Sequence, residues 1–240
     1  MATMRRDLGW LGMVVGLVLG VSSAAEASTL TFAYGEEISG GDVPATGGGA
    51  PPWLVATFDD EDSAGSVSLD LQANLQGESE FITKVLFNLD PALDGLLTGS
   101  PAELTITKSN AQAIAATPNV GLDAFMGATG GRYDIELDFP SSNSPGTDRF
   151  ENGDLAQFVF QGTGLTAGDF AALDARNNEQ REGYLSLAHV QGIGDAGEGS
   201  GWIAPGDNPG NGTPQVPVPG TLALVGAGLL GAGLQGRRRG

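Results

Sequence analysis

The chain has 240 residues, with 29 Asp plus Glu against 11 Lys plus Arg, one His and no Cys. Five basic residues lie at the extreme ends, so residues 28–216 hold 27 acids and 6 bases, a net charge of −21. Such a surface repels phosphate backbones and argues against nucleic acid as a partner; without Cys there are no disulfides, thiolate metal sites or Cys nucleophiles.

Residues 1–27 open with Arg5 and Arg6, continue with an apolar run over 8–21, and end in Ala25-Glu26-Ala27. A basic start, a short greasy core and a small-x-small ending form a secretory signal peptide, with the cut placed before Ser28. The apolar run is short for a retained membrane helix.

Residues 28–194 read as one all-β domain, an antiparallel sandwich or jelly roll with one short helix. The many glycines favour turns over helix. Strands are expected at 29–34, 53–58, 66–73, 81–89, 103–108, 132–139, 155–161 and 184–190. Alternation is cleanest at 66–73, where Val67, Leu69 and Leu71 oppose Ser68, Asp70 and Gln72. It is equally clear at 132–139, where Tyr133, Ile135, Leu137 and Phe139 oppose Arg132, Asp134, Glu136 and Asp138. The helix is expected after Thr166, a capping residue with Asp169 three positions on.

Asp59-Asp60-Glu61-Asp62 follows a strand and precedes a glycine turn. Hard oxygen ligands on a tight loop suit Ca²⁺, so Asp59, Asp60 and Asp62 are the metal candidates. A solvated acidic turn is the competing reading, and no other cofactor is indicated. Two Gly-x-Gly stretches, at 162–167 and 192–197, mimic a dinucleotide fingerprint. With 39 glycines such matches arise by chance, and no repeated βαβ units surround them.

His189 is the sole candidate for a proton-carrying histidine. No G-x-S-x-G elbow accompanies it. It sits in an alternating strand, which favours a structural role. Carboxylates are abundant enough for glycosidase chemistry, but an inventory cannot show which pair faces across a cleft. Trp53, Trp202 and Tyr184 are the candidates for stacking on sugars.

Residues 195–215 are rich in Gly and Pro and read as a linker. Residues 216–240 begin with Pro217-Val218-Pro219, continue through a Gly/Ala/Leu run and end in Arg237, Arg238, Arg239 and Gly240. As a helix, 216–236 would reach ~31 Å, about one hydrocarbon thickness. The arginines would stay on the cytoplasmic side and leave the acidic body outside. The two prolines hold an extended segment that a processing enzyme could grip.

This tripartite tail resembles the PEP-CTERM sorting signal. Pro217 and Pro219 match the family's prolines, the three arginines match its basic cluster, and Val218 stands where the family has Glu. The resemblance implies transient anchoring in the inner membrane and processing by an exosortase. It also implies a setting in Gram-negative bacteria that make exopolysaccharide. Two body segments are similar to those of many uncharacterised PEP-CTERM proteins: Phe87-Asn88-Leu89-Asp90-Pro91, and residues 188–194 with Gly199-Ser200-Gly201-Trp202. The expectation is an exported, acidic, non-enzymatic protein of the cell surface or extracellular biofilm matrix, structural or glycan-associated. A secreted carboxylate-based glycan hydrolase and a permanently anchored surface protein are the alternatives.

Overall fold

The computed structural model describes residues 28–45, 51–98, 103–108, 115–142, 148–174 and 183–206. The strands are β1 (Thr29–Glu37), β2 (Leu54–Ser63), β3 (Ser66–Ala73), β4 (Phe81–Phe87), β5 (Thr105–Lys108), β6 (Thr117–Met126), β7 (Arg132–Asp138), β8 (Phe150–Glu151), β9 (Leu155–Gln161), β10 (Ser186–Ile193) and β11 (Gly199–Pro205). All pair antiparallel in one sheet, ordered β5-β9-β3-β2-β1-β11-β10-β4-β7-β6, with β8 beside β4.

The all-β antiparallel class is as expected. The two separate sheets of a sandwich are not: one sheet curls until it is nearly closed into a barrel. The corner is β1. Its first half, through Tyr34, pairs with β2, and its second half pairs with β11 after a register shift between Tyr34 and Glu36. An irregularity of this kind bends a strand and increases its twist, so one strand can serve both walls.

The curl brings the walls face to face through aromatic rings. Phe58 of β2 meets Phe87 of β4 at 5.1 Å, and Phe139, just past β7, meets Phe158 of β9 at 6.5 Å. One buried cluster spans both walls, including Phe32, Leu69, Val85, Ile135, Phe160 and Ile203. The seam between the end strands β5 and β6 is bridged by α1 (Gly95–Thr98), which packs against β6. The Leu96 carbonyl accepts the N–H of Leu104, just before β5, at 3.0 Å.

Three differences from the sequence reading have local causes. Residues 199–205, placed in the linker, form β11, a strand between β1 and β10. Their glycines admit a crossing loop: a Cβ on Gly201 would lie 2.2 Å from the Asp42 carbonyl oxygen. β6 carries no clear strand pattern because Pro118 and Gly121 interrupt it; as an end strand it tolerates both. The helix expected after Thr166 is a single 3-10 turn, Ala167–Phe170, and the one α-helix among the described residues is α1.

The alternation of β7 holds at Ile135 and Leu137 but not at its start. Asp134, expected on the wet face, is buried and accepts the N–H groups of Leu89 and Asp123. Asp123 lies in the register shift of β6 with φ +49°, a left-handed conformation Asp tolerates. Burial raises the Asp134 pKa despite those hydrogen bonds.

Candidate functional site

The sorting residues Pro217, Val218, Pro219, Arg237, Arg238 and Arg239 lie outside the described residues, as do Ala25 and Ala27. Among the described residues, no helix is long and apolar enough to cross a membrane. Ser28, expected to follow the signal cut, is described and lies immediately before β1.

The acidic stretch does not form the tight loop expected for calcium. β2 continues through it to Ser63. Successive strand residues face opposite sides, so Asp59 and Asp60 diverge. Asp60 shares the inward phase of Phe58 and is engaged by the protein. Its carboxylate accepts Ser28 N–H at 2.5 Å, Ser28 hydroxyl at 2.8 Å and Ala167 N–H at 3.0 Å. Burial pushes its pKa up, but these hydrogen bonds outweigh it and hold the carboxyl below its ordinary value. The side chain of Asp62 is outside the described residues. No group of three or more His, Asp or Glu among the described residues is placed to hold a metal.

The same contacts dispose of the first dinucleotide mimic. Residues 162–167 do run from a strand into a helical turn, as that motif requires. The turn's start is already held by the protein's own carboxylates: Asp60 takes Ala167 N–H, and Asp169 takes the N–H of Thr166 at 2.7 Å and its hydroxyl at 2.8 Å. In the second mimic, Gly192 has φ +76°, and a Cβ there would lie 2.0 Å from the Ser79 carbonyl oxygen. Ser79 hydroxyl donates to Gly192 O at 2.6 Å, so the loop packs on the protein's own backbone.

The three aromatic candidates separate. Trp53 is 5% exposed and belongs to the main core, so it offers no face to a sugar. Trp202 and Tyr184 are half-buried on the outer side of the second wall. Both pack on a satellite cluster of Leu86, Tyr133, Leu187 and Ala204. Tyr184 is held by its backbone, its N–H donating to Asp174 Oδ1 at 2.8 Å.

Strand register extends this face into a row. Trp202 pairs with His189, His189 with Lys84, Lys84 with Asp138, and Asp138 with Thr117. The His189 and Trp202 rings lie 4.8 Å apart at 39°. Thr83 Oγ1 lies 2.8 Å from His189 Nδ1. Lys84 pairs with Glu136, the residue two before Asp138 on β7. Burial, then the Lys84 charge, lowers the His189 pKa, so its imidazole is neutral near pH 7. Burial raises the Asp138 pKa; Lys84 opposes the shift and Glu136 adds to it.

The row therefore presents an indole and imidazole pair beside an ion pair and a carboxylate. It offers aromatic area, donors and acceptors along one shallow strip. It does not form a nucleophilic triad: Thr83, the hydroxyl on His189, is buried and out of reach of a substrate. Sequence reasoning named Trp202 and His189 but not Thr83, Lys84, Glu136 or Asp138 as their neighbours. Alternation marked Glu136 and Asp138 as outward, but only register puts them in line.

An open cleft of about 570 Å³ lies where the β2–β3 turn meets β5 and the end of β9. Gly65, Thr105, Gln161 and Thr163 line it, and among the described residues Glu103 is its one acidic residue. A glycosidase needs two facing carboxyl groups.

The family model of the PEP-CTERM protein-sorting motif matches residues 215–239. No curated protein and no solved structure matches the chain. The chain thus carries a PEP-CTERM sorting motif at its C-terminus, which implies export to the cell surface and processing by an exosortase.

Proposed function

We propose that this is a non-enzymatic protein of the cell surface or exopolysaccharide matrix, structural or glycan-associated. In this reading a signal peptide delivers it, and the C-terminal helix holds it in the inner membrane until an exosortase processes the tail. The observation that carries the glycan half is the outer row, where Trp202 and His189 join a line of polar side chains on an otherwise strongly acidic body. Half-exposed aromatic faces beside planar polar groups suit neutral sugars, which combine apolar ring faces with hydroxyl rims. The net charge of −21 over residues 28–216 favours neutral over anionic polymers.

Two readings compete. A hydrolase would require a second carboxyl group opposite Glu103 or a catalytic pair elsewhere. A permanent anchor would leave the arginine-tipped tail on the mature protein. Sedimentation of the exported protein with the source cell's own polysaccharide, with and without chelator, tests the proposal. Retention that Trp202→Ala abolishes supports it; no retention on any glycan removes the glycan half, and glycan cleavage removes the non-enzymatic one.

A further inference from the structure

Ser28 and Asp60 make a contact that the sorting function does not use. Besides the two hydrogen bonds from Ser28 to the carboxylate, the Asp60 N–H donates to Ser28 O at 3.2 Å. The second carboxylate oxygen also accepts Ala167 N–H at 3.0 Å. One side chain thereby ties the start of β1 and the far half of β2 to the turn carrying Phe170. Phe170 stacks on Phe58, two residues before Asp60 on β2, with ring centroids 4.2 Å apart. The knot lies beside the end of the core that this turn covers.

In the uncut chain the Ser28 nitrogen is an amide bonded to Ala27. The Ala25-Glu26-Ala27 sequence places signal cleavage at that bond. Hydrolysis consumes one water: Ala27 leaves with a new carboxylate, and the Ser28 nitrogen becomes a primary amine that takes up a proton. An ammonium brings three donors and a full charge where the amide brought one donor and none. It would be born at hydrogen-bond distance from Asp60 without any movement of the strands.

We propose that Asp60 is the docking site for the α-ammonium group that signal-peptide removal creates at Ser28, so that an ion pair present only in the mature protein fastens β1 to the core-closing turn. The proposal rests on the cut falling before Ser28. It gives Asp60 a cation from the chain itself.

The test uses the full-length gene, exported and purified, in four versions: wild type, Asp60→Asn, a Gly-Gly insertion after Ala27, and the insertion combined with Asp60→Asn. N-terminal sequencing first reads the cut; a first residue other than Ser28 in the wild type refutes both the cleavage reading and the ion pair. With Ser28 first, Asp60→Asn is expected to lower Tm by about 3–6 °C, and by less than half as much when the insertion moves the amine away. An amine-directed reagent at pH 7, followed on the N-terminal peptide, should label Ser28 about tenfold more slowly than the inserted glycine, the factor of one pKa unit. Equal Tm losses in both backgrounds, or equal labelling rates, would overturn the proposal and leave Asp60 a plain hydrogen-bond acceptor. The labelling comparison needs no change at Asp60, so it stands even if Asp60→Asn fails to fold.

Discussion

Phe170 lies stacked on Phe58, their rings 19° from parallel, although one belongs to a single 3-10 turn and the other to the middle of a strand. Phe58 also meets Phe32, Phe87 and Phe160, so it is the point where both walls and the turn touch. Phe58→Ala should cost about 3–5 kcal/mol in urea unfolding, the range for a large aromatic removed from a packed core. Phe170→Ala should cost somewhat less, because its turn lies outside the ladder. The two losses should fall short of additive by at least ~0.5 kcal/mol. Strict additivity would contradict the stacked geometry.

A buried polar chain crosses the corner of the sheet. Tyr34 hydroxyl meets Ser186 hydroxyl, which donates to Leu86 O at 2.6 Å. Burial pushes the Tyr34 pKa far above its ordinary value, so the phenol stays neutral. Tyr34→Phe should destabilise by about 1 kcal/mol, because Ser186 keeps its carbonyl acceptor. Ser186→Ala should cost more, about 2 kcal/mol, since it leaves the buried phenol without its partner. The reverse order, read from denaturation midpoints, would contradict this network.

His189 is the single histidine, which isolates its titration. Its folded pKa is depressed below 6.5, first by burial and then by Lys84. The unfolded chain therefore takes up a proton before the folded one. The neutral imidazole's contribution is present above pH 6.5 and is lost as pH falls through the lower folded value. Thr83, Lys84 and Trp202 face the ring, and Glu136 and Asp138 lie further along the strip. Asp138 and the buried Asp134 have raised pKa values, so their effect runs the opposite way, with stability gained on acidification. His189→Gln should remove the stability loss between pH 6.5 and 5 and leave the carboxylate limb. An unchanged profile would show that His189 does not titrate as described.

How much of this was legible beforehand depended on whether local pattern carried the signal. β3 matches its expected bounds because apolar and polar residues alternate without interruption; β9 matches because a β-branched and aromatic run, Phe158-Val159-Phe160, is bracketed by Gln157 and Gln161. β11 was hidden: Gly199, Gly201 and Pro205 are turn-forming residues that here serve close approach to Asp42 and the end of a strand. The acidic run at 59–62 reads as a loop because charge and β propensity disagree there; the strand nevertheless runs through it, pairing with β3 at Asp59 and Ser63 across a register shift. The row from Trp202 to Thr117 rests on register across five strands, which no local window contains. Trp53 and Trp202 look alike in sequence, and only the curl of the sheet makes one core and the other surface.

That distinction gives a direct comparison. Trp202→Ala should leave the fold nearly intact, shifting stability by about 1 kcal/mol, and reduce any polysaccharide retention at least tenfold. Trp53→Ala should do the opposite: a loss of about 3–5 kcal/mol, with retention unchanged in whatever protein folds. Retention lost equally with both would indicate that unfolding, not the outer row, governs binding.

In the proposed function both ends of this chain are sorting devices and the acidic β domain is the cargo. Intact mass of the protein recovered from the surface or medium of its source cells measures this directly. The expected chain starts at Ser28 and lacks Arg237, Arg238 and Arg239, with the arginines retained when the exosortase is deleted. An unprocessed chain of 240 residues, recovered from the cytosol with both ends intact, would contradict it.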